Sequence, residues 1–277
     1  MIRYPEISPE LISIGPLKIR WYGLMYVLGF FVGFQVLKWR IRQGLFRTSY
    51  KDAENYVTYL IVGMLLGARL VYVFVYDWET YSSNLLQIFY IWQGGLSFHG
   101  AMLGMVTAGW LYGRSRKMPF YMVSDSFAMT ACPGLMFGRI GNFINGELYG
   151  RATDVPWAMI FPTDPDRVPR HPSQIYQGLT EGLLLFLVLL WVQRLLLRKG
   201  IYKLGYMSAT FLMGYGVLRF LTEFTRQPDV QLGFVLGPFS MGQILCFLTL
   251  LWGVFVLWQT REDPVFVPKA PPPEFLQ

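Results

Sequence analysis

The feature that constrains this chain most is the recurrence of long apolar stretches, at 21–37, 56–76, 96–112, 120–137, 175–192, 204–220 and 239–258. A helix needs about 20 mostly apolar residues to cross the hydrocarbon core of a bilayer, with a range of about 17 to 25. A transmembrane barrel would instead show alternating segments of about ten residues, and these runs are continuous. Only 15% of the residues are charged and 53% are hydrophobic, against about 25% charged in a soluble domain. With 17% aromatics, that balance excludes a disordered chain, a coiled coil, collagen and a small disulfide scaffold. The expected fold is an all-α integral membrane protein of about seven transmembrane helices, a single polytopic domain over 1–277.

Cytoplasmic loops collect Lys and Arg, and the asymmetry here is large. Lys38, Arg40, Arg42, Arg47 and Lys51 follow the first stretch, Arg114, Arg116 and Lys117 the third, and Arg194, Arg198, Lys199 and Lys203 the fifth. The segment after the second carries Asp77 and Glu79 and no Lys or Arg through Gly95, so it faces outward. The N-terminus is then outside, and residues 260–277, with their proline run, form a cytoplasmic tail. A net charge of +7 would suggest nucleic acid for a soluble chain; here its distribution reads as topology, and no nucleic-acid partner is expected. Residues 1–20, broken by Pro5, Pro9 and Pro16, read as an outward amphipathic arm, with no cleavage motif of a signal peptide behind the first apolar run. Cys132 and Cys246 lie in apolar runs and read as packing thiols, not as a disulfide or metal pair.

Ionisable groups inside a bilayer cost about 2.5 to 3.5 kcal/mol each, so each needs a reason. The candidates are Arg69, His99, Asp125, Arg139, Glu181, Arg219 and Glu223, of which His99, Arg139, Glu181, Arg219 and Glu223 fall toward the outer side and could meet at one site. Tyr215, Arg219 and Glu223, spaced by four, share a helical face, where Arg219 can pair with Glu223. An internal ion pair is the competing reading. Arg69 is expected to snorkel or to neutralise a buried carboxylate, and Asp125 to cap or pair near the cytoplasmic end. His99 follows a Gly94-Gly95 turn and is a candidate general base, imidazole being the side chain that ordinarily titrates near neutral pH. His171, in Arg170-His171-Pro172-Ser173, is expected to help start the fifth span.

From Gly138 to Arg151 the chain turns polar and glycine-rich, with Arg139, Asn142, Asn145, Glu147 and Arg151 among Gly141, Gly146 and Gly150. Guanidinium groups bind phosphate through paired donors, and glycines admit close backbone approach. At the outer leaflet boundary such a segment suits a phospholipid head group.

Here the sequence closely resembles the bacterial prolipoprotein diacylglyceryl transferases. Their signature G-R-x-G-N-F-x-N-x-E-x-x-G is matched at every fixed position from Gly138 to Gly150. The resemblance extends over essentially the whole chain, through Trp21-Tyr22-Gly23-Leu24-Met25-Tyr26, Gly94-Gly95-Leu96-Ser97-Phe98-His99-Gly100, Arg170-His171-Pro172-Ser173-Gln174, Gly214-Tyr215-Gly216, Arg219, Glu223 and Arg226-Gln227-Pro228-Asp229. It departs at Gly100-Ala101-Met102-Leu103-Gly104, where the family commonly reads G-G-L-I-G, small and apolar for small and apolar.

The resemblance implies a bacterial inner-membrane enzyme with its active site toward the periplasm, a small periplasmic head at 139–172, and transfer of diacylglyceryl from phosphatidylglycerol to the lipobox cysteine thiol in a prolipoprotein signal peptide, releasing glycerol phosphate. Arg139 and Arg219 carry over as essential positions beside the candidate base His99. Tyr22, Asn142, Asn145, Glu147 and Gly150 carry over as head-group or positioning residues, with Tyr26, Tyr215, Glu223, Arg151 and His171 in support. No cofactor or metal is implied. The alternative is a multi-pass lipid transporter or translocator, against which stands the lack of repeated halves. A phospholipid head-group transferase of another kind would need acidic metal motifs that the sequence does not show.

Overall fold

A computed structural model describes all residues except 1, 6, 15, 16, 91–93, 228–233, 237, 238 and 277. Pro16, Pro228 and Asp229 therefore lie outside the described residues. The chain is mostly helical: α1 (Trp21–Arg42), α2 (Tyr50–Val71), the short α3 (Trp78–Ser82), α4 (Phe98–Ser115), α5 (Phe120–Ile144), α6 (Ser173–Gln177), α7 (Leu185–Arg198), α8 (Tyr206–Glu223) and α9 (Met241–Thr260). Among the described residues four helical stretches, Trp21–Arg42, Tyr50–Tyr76, Ser173–Arg198 and Met241–Thr260, are long and apolar enough to cross a membrane. The remaining three expected stretches also fold as helices, α4, α5 and α8, but carry more glycine and polar groups. This is a multi-pass helical membrane protein.

The chain divides into two compact units, one formed by Met1–Val36 with Ala128–Val267 and the other by Leu37–Phe127 with Pro268–Gln277. In the second unit α2 packs on α4 through facing small residues. A Cβ at Gly63 would stand 2.6 Å from the Ala108 methyl, and one at Gly104 would stand 3.0 Å from the Gly67 Cα. Lipid tails are as apolar as leucine, so helices in a bilayer associate through such close backbone contact. Gly63 and Gly67, and Gly100 and Gly104, are each spaced by four and share a face.

The N-terminal arm is an antiparallel hairpin, β1 (Glu10–Ile14) with β2 (Leu17–Arg20), with a bulge between Glu10 and Ile12. Ile12 pairs with Ile19 and both are exposed, while Lys18 reaches the Glu10 carboxylate at 2.6 Å. Its amphipathic character is thus that of a strand pair.

Sequence position put Arg139 just past the fourth span, but α5 continues to Ile144. The helix carries the first half of the polar signature because Gly141 lets it lie against α1, where a Cβ would meet the Tyr22 ring at 2.7 Å. The helix of the fifth stretch begins at Ser173, two residues before the expected Ile175, and His171 does not cap it; the preceding Pro172 makes no side-chain cap. His171 Nδ1 instead lies 3.2 Å from the Tyr176 hydroxyl. Arg69 is buried and, among the described residues, meets no carboxylate: its guanidinium donates to the backbone carbonyls of Gln87, Ile88, Gly94 and Gly95. Asp125 is wholly buried well inside α5, beyond its first turn, and so is no cap.

The loop after the signature is closed by a buried fork. Arg170 donates to Asp164 through Nε at 2.7 Å and Nη2 at 2.9 Å, and lies 5.0 Å from the centre of the Tyr149 ring. The Arg170 fork holds the Asp164 carboxyl below the usual carboxylate range, helped by the Asp166 and Val168 amides. A carboxylate with a lowered folded pKa stabilises above its unfolded pKa, about 3.9, and loses that contribution as pH falls through the folded value. Trp157, which donates to the Tyr176 hydroxyl at 2.5 Å, reports on this loop. Its fluorescence, taken in a His171→Gln background because that imidazole lies against the same Tyr176 hydroxyl, and as the difference from a Trp157→Phe variant, is expected to hold steady from pH 7 to about 4.5 and change below about pH 4. Asp164→Asn in that background should show the acid signal already at pH 7. A transition near pH 6 in that background would reject this account.

Candidate active site

The first unit gathers four of the expected charged residues, Arg139, Glu181, Arg219 and Glu223, into one cluster in which both arginines face the buried Glu181 carboxylate. Glu181 lies in a π-helical turn, Gly178–Leu184, that joins α6 to α7. Such wide turns recur at functional sites because they rotate one side chain out of regular helical register. Gly178 and Gly182 bring that turn close to α5, where a Cβ would stand 3.5 Å from the Arg139 Cβ and 2.6 Å from the Met136 Cβ respectively. Arg139 Nη2 lies 3.9 Å from Glu181 Oε2, and Arg219 Nε lies 3.8 Å from Glu181 Oε1. The Thr222 hydroxyl donates to Glu181 Oε1 at 3.0 Å.

The spacing of Arg219 and Glu223 on α8 does place them in contact, at 2.7 Å between Nη2 and Oε2. Glu223 is held in turn by the Ser240 hydroxyl at 3.0 Å, and Ser240 forms a capping box with Gln243 at the start of α9. Gly242 passes so close to Glu223 that a Cβ there would stand 2.8 Å from Oε1. Every carboxylate oxygen of this cluster therefore faces an arginine or a hydroxyl, but Glu181 Oε2 and Glu223 Oε2 do so as ion-pair partners only, without a hydrogen bond among the described residues. Arg219 Nη1 is also buried without a hydrogen-bond acceptor among them. A buried donor left open costs about 1 to 3 kcal/mol. Its natural complement is an anion.

Beside this cluster the signature residues hold one another. Asn142 and Asn145 both donate to Glu147 Oε1, at 2.8 and 3.2 Å, and Gln174 donates to the Glu147 carbonyl at 2.7 Å. Tyr22 packs edge-on to Tyr26, with the hydroxyls 3.2 Å apart. Gly146 (φ +68°) and Leu148 (φ +58°) turn the chain, the second with its carbonyl fastened by the Ser173 hydroxyl. Gly150 is a packing point: its N–H bonds the His171 carbonyl, and a Cβ would stand 2.8 Å from the His171 Cβ. Arg151 Nε donates to the Arg226 carbonyl at 2.8 Å. Tyr215 is a half-buried neighbour of Arg219 one turn earlier on α8.

His99 belongs to the second unit. It is exposed in the first turn of α4, after the Ser97 cap, with its ring edge-on to Phe98. Among the described residues no three His, Cys, Asp or Glu side chains gather as a metal site. Sequence reading placed Glu181 among the candidate charges without making it the partner of both arginines. The signal available was its depth in an apolar run; the π turn that aims it has no sequence mark.

Together, the fold and the cluster define a helical membrane protein with two guanidinium groups, Arg219 buried and Arg139 partly so, set among carboxylates, and with one buried donor left open. The family model of prolipoprotein diacylglyceryl transferase matches residues 9–259, and the chain belongs to that family. It is 48% identical over 258 residues to the phosphatidylglycerol–prolipoprotein diacylglyceryl transferase of Nitratidesulfovibrio vulgaris strain DP4, covering 93% of this chain and 96% of that one. Proteins of the same description from Bordetella parapertussis and Geobacter sulfurreducens are 44% and 46% identical, over 95% and 91% of this chain and 99% and 95% of theirs. The transporter alternative loses its ground accordingly.

Proposed function

We propose that this chain transfers the diacylglyceryl group of phosphatidylglycerol to the lipobox cysteine thiol of prolipoproteins, using the Arg139, Glu181 and Arg219 cluster to hold the phosphate. The observation that carries this reading is the open, buried Arg219 Nη1 donor beside a second guanidinium. The enzyme sits in the bacterial inner membrane with about seven spanning helices, its N-terminus and a small head at 139–172 in the periplasm and its C-terminus in the cytoplasm.

The reaction breaks the bond between the glycerol carbon and the phosphate oxygen and forms a thioether at that carbon. The thiol proton goes to a base, and glycerol phosphate leaves with one more negative charge than the diester carried. Donors already fixed where that charge grows stabilise the transition state more than the ground state. Arg139 and Arg219 supply them, and Glu181 and Glu223 keep their planes oriented. Asn142, Asn145 and Glu147 bind or place the head group beside Tyr22 and Tyr26. A cysteine thiol of ordinary pKa, about 8.5, is mostly protonated at pH 7, and His99 is the base we assign to it.

The test uses purified protein in phosphatidylglycerol vesicles with a lipobox peptide, following glycerol phosphate release and the mass of the peptide. Release coupled to diacylglyceryl-peptide, absent with a Cys→Ser peptide and reduced about 10²-fold or more in Arg139→Ala, is the expected result. Release without peptide modification would make the protein a phospholipid hydrolase and reject the proposal. In the same assay His99→Gln should lower turnover at pH 7 and flatten its rise with pH. Normal turnover with an unchanged profile would remove His99 as the base.

A further inference from the structure

The second unit contains a buried guanidinium that the chemistry above does not use. Arg69, in the last turn of α2, is 4% exposed. Its Nε donates to the Ile88 carbonyl at 2.7 Å, Nη2 to Gln87 at 2.6 Å, and Nη1 to Gly94 at 2.7 Å and Gly95 at 3.0 Å. The same guanidinium lies 4.9 Å from the centre of the Tyr81 ring. All three nitrogens are thus spent on backbone oxygens of a single segment. Charge-assisted hydrogen bonds are roughly twice as strong as neutral ones, and the planar fork of arginine serves several acceptors at once where an ammonium is a point charge.

That segment leads directly into α4. Gly94 and Gly95 have φ of +89° and +76°, and a Cβ on Gly95 would stand 2.7 Å from Arg69 Nη1. Two residues on, the Ser97 amide donates to the Ala68 carbonyl at 3.0 Å, and its hydroxyl accepts the Gly100 N–H at 3.2 Å. The first turn of α4 is therefore fastened to the last turn of α2 through Arg69 and its chain neighbour Ala68. His99 is the second residue of that turn.

We infer that Arg69 is a positioning residue for His99, clamping the carbonyls of Gln87, Ile88, Gly94 and Gly95 so that α4 begins where it places the imidazole. This rests on the assignment of His99 as base. Carbonyl ligands, unlike a carboxylate, leave no sequence mark, so the clamp is visible only in the fold.

The test compares Arg69→Lys, His99→Gln and the double variant in the vesicle assay, with hydrogen exchange of the 85–100 amides as a second readout. Lysine keeps the charge and loses the fork. Arg69→Lys should raise exchange across 94–100 while the amides of α8 and α9 stay unchanged. It should lower kcat by on the order of 10²-fold with KM for phosphatidylglycerol unchanged, and should cost no further activity in the His99→Gln background. Multiplying losses in the double variant, or Arg69→Lys with normal kcat while His99→Gln is impaired, would overturn the inference and leave His99 as base. Full activity in His99→Gln would overturn the base assignment and the positioning role with it.

Discussion

Arg219→Ala is expected to stop transfer, with turnover in phosphatidylglycerol vesicles falling about 10³-fold or more. The side chain does two jobs at once. Its Nη2 neutralises Glu223 at 2.7 Å, its Nε faces Glu181 at 3.8 Å, and its Nη1 is the buried donor left open for phosphate. Removing it deletes that donor and leaves the buried Glu223 carboxylate without its arginine, while Glu181 keeps Arg139 and Thr222; the stranded carboxylate costs about 3 to 5 kcal/mol of stability. The two losses separate by comparison with Arg219→Lys, which keeps the charge for Glu223 but not the fork. The lysine variant should regain most of the thermal stability and remain at least about tenfold slower, with phosphatidylglycerol binding weakened more than peptide binding. Turnover of Arg219→Ala within tenfold of the unmutated enzyme would show that the open donor does not meet the substrate.

What could be read in advance divides along a physical line. The i, i+4 spacing on α8 foretold the Arg219–Glu223 contact, because both partners ride on one helix whose period is known. Apolar length foretold the helices, and the polar signature after Gly138 marked the segment that brings Arg139 to Glu181. Glu181 is 42 residues from Arg139 and 38 from Arg219 along the chain, and only a π turn plus Gly178 and Gly182 bring it to both. Nothing in a single sequence encodes that meeting. The arm was legible as amphipathic but not as a hairpin, since alternation over so few residues is weak evidence for strands. Arg69 was misread for a related reason: expectation looked for a carboxylate, and its partners are main-chain oxygens, which every residue has. The extension of α5 to Ile144 was hidden by glycines that ordinarily weaken helices but here let α5 lie against the Tyr22 ring.

The second large effect should come from a position that touches no charge. Gly104→Val is expected to separate α2 from α4 and abolish both folding of the second unit and activity. A Cβ at Gly104 would lie 2.8 Å from the Gly63 carbonyl carbon and 3.0 Å from the Gly67 Cα. These are backbone atoms in a neighbouring helix and cannot rotate aside, so the axes must part. Overpacking of this kind costs about 1 to 3 kcal/mol in soluble cores. The loss should be larger here, because in a bilayer no gain from water exclusion draws the helices back together. Gly109→Ala on the same helix is the matched comparison: its Cβ would come no closer than 3.8 Å to Leu60 or Tyr56, and alanine favours a helix interior by about 0.5 to 1 kcal/mol over glycine. Thermal unfolding of both variants in detergent, with the vesicle assay, should show Gly104→Val melting well below the parent and inactive, and Gly109→Ala melting at or above it with normal turnover. If Gly104→Val melted normally, the α2–α4 seam would not govern stability. If it melted normally yet lost activity, the seam would act by setting the position of α4, whose first turn carries His99.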